Sequence, residues 1–379
     1  MPKRSKFQKL FRDHVFVILG WLIWIILQIK GHKFGPADSL AVLAAGSALT
    51  FCTMLGCVFA VVRHADQLAE LMDEPYGTLV LTLSATAIEV SLMLMVMAGG
   101  AQNPSMLRDT IFATLMVVLN GMVGVSLVSG GWINVEQSFN LRGALSFLHL
   151  IAPLSLLLLV LPNYTSSTDG PTLAPVQGAF LGMLCLLVYG VFLIIQTGRH
   201  RSYFANMSAV LDEDPETNGN TAPRLRPRRS AIVRASFHLL AALLPIILLA
   251  EHLGSVIDLA IEESHTPPAL GGLVVAALVL LPEGVGAQRA AALNLMQRAV
   301  NICLGSALAT IGLTVPIILL AASLQRHSLT LGLSGAEETL LYATLLVSVM
   351  TFVSGFANVL QGVVHLMLFV AYLFLVFVP

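Results

Sequence analysis

The chain has 379 residues, 56% of them hydrophobic and 11% charged, with a formal net charge of -1 and a mean hydropathy of +0.85. So little polar surface cannot coat a water-soluble globule of this size, which places the chain in a bilayer. The balanced charge offers no basic excess to nucleic acid, and no Gly-rich phosphate loop follows a strand, so nucleotide and nucleic-acid chemistry are excluded.

The first apolar run, residues 15–29, follows a basic stretch containing Lys3, Arg4, Lys6, Lys9 and Arg12. A cleavable secretory signal would show a small-x-small site after the run. Gln28-Ile29-Lys30 stands there instead, so a retained membrane anchor is expected. Further runs of crossing length lie at 38–62, 76–98, 110–129, 144–161, 175–197, 237–259, 269–293, 300–324, 338–357 and 362–378. All eleven are too long and continuous for barrel strands and read as helices. The final two need a break, because the chain from Thr339 to Val378 is apolar for too long to be one crossing. Gly355, Asn358, Gln361 and Gly362 supply the only turn chemistry there. The four cysteines, Cys52, Cys57, Cys185 and Cys303, sit inside apolar runs as small hydrophobes.

Cytoplasmic loops collect lysine and arginine. With the N-terminus inside and the chain alternating through eleven crossings, all but Lys30, Lys33, Arg108 and Arg326 of the 20 basic residues fall on the cytoplasmic side. The segment 199–234 is then cytoplasmic and the C-terminus periplasmic. Its sequence runs from an acidic patch, Asp212-Glu213-Asp214-Pro215-Glu216, to Arg224, Arg226, Arg228 and Arg229. It reads as a solvated tether with a positive-inside anchor, or as a cation-sensing regulatory segment.

The two halves resemble each other around their most unusual residues. Gly77 stands twelve before Glu89 and Gly271 twelve before Glu283. Each glutamate is followed by a short polar turn carrying Met-x-Arg, at Met106-Leu107-Arg108 and Met296-Gln297-Arg298. Glu89 lies on the third crossing and Glu283 on the eighth, and an odd offset of five means opposite directions through the membrane. The expected fold is therefore an all-α polytopic membrane protein of about eleven transmembrane helices, one extra N-terminal helix plus two inverted-topology five-helix repeats. The corresponding divisions are 1–33 (tail and first helix), 34–198 (first repeat), 199–234 (linker) and 235–379 (second repeat).

Twelve residues at about 1.5 Å each put both carboxylates roughly 18 Å into a hydrocarbon core of about 30 Å. An ionised side chain there costs at least about 2.5–3.5 kcal/mol on insertion scales, and the sequence accepts that at two equivalent positions. A carboxyl in low dielectric keeps its proton readily, and two facing each other do so more readily still. A cation entering between them favours the charged forms and displaces the protons, which is the physical basis of antiport. Hard cations want six to eight oxygens in the case of calcium, so other groups must contribute. Thr82, Ser84, Thr86 and Ser91 flank Glu89. Pro282 cannot donate to the carbonyl of Leu278 and so leaves that oxygen open to an ion. Asn120, Ser306 and Thr310 on partner helices complete the candidate ligands. Each alone also fits a hydroxyl bonding its own backbone or a proline that only kinks its helix. Glu251 and His252 on the seventh crossing fit an outer proton relay or an aqueous vestibule. His149, His238 and His365 are expected to be capped or interfacial residues near span ends or on helix faces. No cofactor is expected, since Ca2+, Na+ or K+ and H+ are cargo, and the lipid bilayer is the remaining partner.

Thr86-Ala87-Ile88-Glu89-Val90 and Leu280-Leu281-Pro282-Glu283 resemble the two α-repeats of the calcium/cation antiporter superfamily. Gly305-Ser306-Ala307, ending in Thr314-Val315-Pro316, is similar to the Gly-Ser-Ser…Val-Pro motif in the second repeat of its cation/proton exchangers, and residues 125–131 to the end of the first repeat. With Leu-Arg-Asp-Thr at 107–110, Gln-Arg-Ala-Val-Asn at 297–301 and Val-Leu-Gln-Gly at 359–362, the resemblance spans nearly the whole chain and is nearest to the bacterial ChaA-type sodium (potassium)/proton and calcium/proton antiporters. It implies a cation/proton exchanger of the inner membrane, with Glu89 and Glu283 binding cation and protons and a two-helix bundle sliding past fixed glutamate-bearing helices. Thr86 and Leu280 replace the superfamily's asparagine before each glutamate, and Ala309 stands where a glutamine is expected. Fewer side-chain oxygens leave monovalent transport open.

Two other classes compete. A cation channel would show a filter rather than paired titratable groups in inverted repeats. An intramembrane enzyme needs an aspartyl pair, a Ser/His dyad or a metal motif, and none stands at mid-depth.

Overall fold

The structure is a computed structural model and describes residues 6–30, 40–71, 76–98, 105–198, 200–204, 229–264, 267, 269–325 and 329–378. A hydrocarbon core gives backbone groups no water to bond, so an apolar chain satisfies them within helices. Among the described residues there are eleven helical rods, matching the eleven apolar runs. They are α1 (Lys6–Lys30), α2 (Leu40–Glu70), α3 (Tyr76–Ala98), α4 (Met106–Met116) continued through a π turn (Val117–Met122) into α5 (Val123–Asn134), α6 (Leu141–Leu159) and α7 (Pro175–Thr197). The second half gives α8 (Arg229–Ser264), α9 (Ala269–Ala292), α10 (Met296–Ala309) continued through a π turn (Thr310–Thr314) into α11 (Val315–Gln325), α12 (Gly335–Phe352) and α13 (Val359–Phe377).

Among the described residues, eight rods are long and apolar enough to cross a membrane, with shorter apolar stretches at His14–Ile29 and Leu83–Leu94. The acidic first turn of α12, Glu337 and Glu338, dilutes its apolar character. On α7 the side chains of Val176, Phe180, Met183, Leu187, Val191 and Ile194 are all exposed. Their spacing follows the helical period, so they form one continuous apolar stripe of the kind lipid covers. The acidic patch of the 199–234 linker, with Arg224, Arg226 and Arg228, lies outside the described residues.

Packing divides the chain into two compact units, Met1–Asn103 with Arg226–Gly271, and Pro104–Leu225 with Gly272–Pro379. In the first, α1, α2 and α8 pack pairwise and α3 packs on α2 and α8. The Cys57 thiol on α2 lies 3.1 Å from the Phe16 carbonyl, and Trp21 Nε1 donates to the Ala241 carbonyl at 3.2 Å. A Cβ on Gly20 would stand 2.9 Å from Pro245 Cβ, so only glycine lets α1 approach α8 this closely.

In the second unit, α5 and α13 meet across small residues. A Cβ on Gly362 would stand 2.8 Å from the Val128 nitrogen and 2.9 Å from the Gly124 oxygen. Close backbone approach of this kind is how helices associate where lipid removes the hydrophobic drive. The break between the last two spans falls where the turn chemistry lies. Helix α12 stops at Phe352, Gly355 adopts φ +72°, and Asn358 and Gln361 cap α13 reciprocally, each backbone N–H bonded to the other's side chain. The expected span 338–357 is thus cut short, because Phe356–Ala357 (β2) leaves the helix to pair antiparallel with Gln137–Ser138 (β1). Gln137 then anchors this corner, donating to the Ala291 carbonyl and to Asn294 Oδ1, each at 2.9 Å.

Candidate ion-binding site

Glu283 is the fifteenth of the 24 residues of α9, close to mid-helix. Pro282 stands inside the same helix and has no N–H for the Leu278 carbonyl. Two glycines set α9 against the α4–α5 rod. The Cβ position of Gly272 lies 2.7 Å from the Asp109 carbonyl carbon, and that of Gly284 lies 3.3 Å from Met122 Cγ at the end of the π turn. The carboxyl group accepts a hydrogen bond from the Ser306 hydroxyl on α10, while its Oε2 is enclosed and has no hydrogen-bond partner. An enclosed carboxylate oxygen without a donor is expensive unless a proton or a cation meets it. This donor set, hard oxygen from one carboxyl beside a hydroxyl, suits an alkali or alkaline-earth ion.

Glu89 is the fourteenth of the 23 residues of α3 and is buried, at 8% exposure. Thr86, one turn earlier on the same face, is buried and its Oγ1 has no hydrogen-bond partner. Ser84 is half-buried on the same helix. Glu89 belongs to the first compact unit and Glu283 to the second, so each is described within its own.

The remaining candidates divide. Thr310 opens the second π turn and donates to the Ser306 carbonyl at 3.2 Å, which joins it to the residue that holds Glu283. Asn120, inside the first π turn, is fully buried and committed elsewhere. Its Nδ2 donates to Thr344 Oγ1 at 2.8 Å, and its Oδ1 lies 3.3 Å from His365 Nδ1. His252 is buried on α8, and the Glu251 side chain lies outside the described residues.

His365 corrects the sequence expectation. It is completely buried rather than interfacial, with Nδ1 on Asn120 and Nε2 3.1 Å from Thr351 Oγ1. A polar ring survives that burial because both nitrogens are satisfied. His149 is exposed, as expected of a residue on a helix face. The two π turns were also unforeseen. They lie in the rods that begin at Met106 and Met296, the methionines of the two Met-x-Arg signatures. Such turns frequently mark functional sites, because they realign the side chains that follow. The one available signal was a polar residue one or two positions before a glycine in mid-span, Asn120-Gly121 and Thr310-Ile311-Gly312.

Apolar rods of membrane-crossing length, two of them broken by π turns, together with a mid-helix glutamate, define a polytopic membrane transporter. The chain belongs to the sodium/calcium exchanger protein family, whose model matches residues 42–198 and 235–378. It is 35% identical over 344 residues to the sodium-potassium/proton antiporter ChaA of Escherichia coli (strain K12), covering 91% of this chain and 92% of that protein. It is 38% identical over 345 residues to the y4hA protein of Sinorhizobium fredii, covering 91% and 90%. Its fold is similar to that of native YfkE, with a TM-score of 0.73 at 18% identity over 97% of this chain and 100% of that one. It is also similar to the H+/Ca2+ exchanger CAX, with a TM-score of 0.68 at 15% identity over 97% and 88%. The family is one of transporters, so this chain is a transporter and not an enzyme.

Proposed function

We propose that this chain is a secondary antiporter of the bacterial inner membrane that exports Ca2+ and/or Na+ (K+) in exchange for H+ by alternating access. Glu89 and Glu283 take up cation or protons in competition. The observation that carries this reading is the 35% identity, over nine-tenths of the chain, to a protein named as a sodium-potassium/proton antiporter. The enclosed Glu283 oxygen supports it, because that atom is stable only with a proton or an ion beside it.

The finer features are part of the same proposal. Two five-helix repeats of inverted topology, at 34–198 and 235–379, are supported by the π turns that interrupt the fourth and ninth rods alike. The linker 199–234 and the N-terminus face the cytoplasm and the C-terminus the periplasm, as the distribution of basic residues suggests. Thr86, Ser84, the Leu278 carbonyl freed by Pro282, Ser306 and Thr310 supply further oxygens. Asn120 contributes through its π turn, and Glu251 with His252 relays protons.

The test uses everted vesicles with an imposed pH gradient and a pH-sensitive dye, adding Ca2+, Na+ and K+ in turn. Wild type is expected to release protons on addition of cation, and Glu89→Gln and Glu283→Gln to lose the response. Cation-driven proton movement that persists in both variants discards the site. Cation conductance without proton movement discards antiport.

A further inference from the structure

Ser126 takes no part in the ion site described above, yet it is 2% exposed and its hydroxyl makes no well-aligned hydrogen bond, the Cys303 thiol being the polar side chain beside it. A serine inside a helix ordinarily bonds a carbonyl of the preceding turn, so a buried one that does not is open to a guest. It faces a small cavity in the second compact unit, with room for about one water molecule. Ser126 and Leu127 of α5, Met296, Val300 and Cys303 of α10 and Phe352 of α12 are among the residues that line it. The hydroxyl and the thiol give such a water two partners. The rest of this wall is carbon and one thioether, which cannot replace the oxygen shell of a hard cation.

The cavity stands between Glu283 and one end of the unit. On its inner side, Ser126 is one turn past Met122, which packs on the Gly284 beside Glu283, and Cys303 is one turn before Ser306, which holds the Glu283 carboxyl. The Cys303 thiol lies within electrostatic reach of that carboxyl. On its outer side, the Met296 methyl packs 3.1 Å from where a Cβ on Gly130 would stand, and Gln137 Oε1 occupies that same place. Gln137 is also 2% exposed, and this oxygen has no hydrogen-bond partner. Glu283 Oε2, Ser126 Oγ and Gln137 Oε1 thus follow one another as enclosed oxygens toward the Asn134 end of α5 and the Met296 end of α10. The proposed orientation puts those ends in the cytoplasm. We propose that Ser126 and this cavity form a water-sized route by which protons, and not cations, pass between Glu283 and the cytoplasm. The inference rests on the antiport and the orientation proposed above. A proton displaced from Glu283 passes to the Ser126 oxygen as the hydroxyl's own proton moves to water in the cavity, which leaves the serine unchanged. Met296 stands between the cavity and Gln137, and its flexible thioether turns aside to let that water exchange with solvent. The leaving proton then does not obstruct the arriving cation.

Ser126→Thr and Ser126→Val have the same shape and differ in a hydroxyl against a methyl, so the pair separates a relay from packing. In everted vesicles, Ser126→Thr is expected to release protons on cation addition within about twofold of the wild-type maximal rate, and Ser126→Val to be slower by about tenfold or more. Half-saturating cation should stay within about twofold of wild type in both, because the route carries no cation. Equal maximal rates in the two variants overturn the route. So does a half-saturation that rises in Ser126→Val alone, which would make Ser126 a cation ligand. Independently, the infrared S–H stretch of a lone thiol in D2O reads whether water reaches it. Cys303 alone, in Cys52→Ala/Cys57→Ala/Cys185→Ala protein, is expected to exchange about tenfold or more faster than Cys185 alone, in Cys52→Ala/Cys57→Ala/Cys303→Ala protein, both thiols being 1% exposed. Equal exchange rates overturn the route, also where both Ser126 variants fail to fold. Wild type that moves no protons with any cation discards the antiport reading instead, and the thiol comparison still decides whether water enters the cavity.

Discussion

His365 and Asn120 are 245 residues apart in sequence, yet His365 Nδ1 lies 3.3 Å from Asn120 Oδ1 in the buried centre of the second unit. Thr344 and Thr351 extend the bond into a chain that fastens the π turn of the α4–α5 rod to both α12 and α13. Replacing His365 with Leu strands the Asn120 oxygen and the Thr351 hydroxyl away from water. It should lower thermal stability in detergent by about 1–3 kcal/mol. Asn120→Ala should cost a similar amount. If Asn120 also ligates the transported ion, only that variant raises the cation concentration needed for half-maximal exchange. Equal half-saturation in the two variants would reduce Asn120 to a structural tie.

Ser306 is the residue that holds Glu283 on α9, and its loss separates fold from function. Ser306→Ala removes one hydrogen bond to the carboxyl and should change unfolding stability by no more than about 1.5 kcal/mol. The apparent cation affinity should fall by about threefold to tenfold, the equivalent of one such bond, with the maximal rate retained. A cation titration of proton release reads this directly. Unchanged half-saturation would mean that Ser306 contributes nothing to the ion site.

Two glycines make opposite predictions. Gly272→Ala forces a methyl to within 2.8 Å of the Thr110 nitrogen, which is backbone and cannot swing away. It should destabilise by about 1–3 kcal/mol. Gly190, in the interior of α7, has nothing within 4 Å of its Cβ position. Gly190→Ala should stabilise by about 0.5–1 kcal/mol through helix propensity. Melting curves of the two variants side by side check both signs.

The break before α13 depends on its cap. Asn358→Ala removes the side chain that accepts from the Gln361 N–H at 3.0 Å and should cost about 0.5–2 kcal/mol. Gly355→Ala, at φ +72°, adds a further 1–2 kcal/mol or so of left-handed strain. Should hydrogen exchange at residues 353–358 stay as slow in these variants as in wild type, the cap is not what holds the corner.

The number and type of the rods were legible in the sequence because each is one uninterrupted apolar run, and a bilayer leaves such a run no alternative to helix. Glu283 in mid-helix was legible for a related reason, since a carboxyl in an apolar run stands out by its insertion cost. The turn at Gly355 and Asn358 could be read because positive φ and capping use few residue types.

Other features depend on which residues from distant parts of the chain become neighbours. His365 looked interfacial because it stands near the start of its apolar run, and Asn120 and Thr351 reach it only through packing. The π turns were hidden because they have no compositional signature, only a register shift that neighbouring helices impose. His14, His64 and His238 were single histidines on three separate runs until α1, α2 and α8 packed together. What the sequence determined by itself is the solvent each segment chooses and the positions where charge is tolerated inside it, because both are local transfer free energies. Which buried polar atoms share a bond was decided only by the tertiary structure, because hydrogen bonds reach about 3 Å and chain order says nothing at that range.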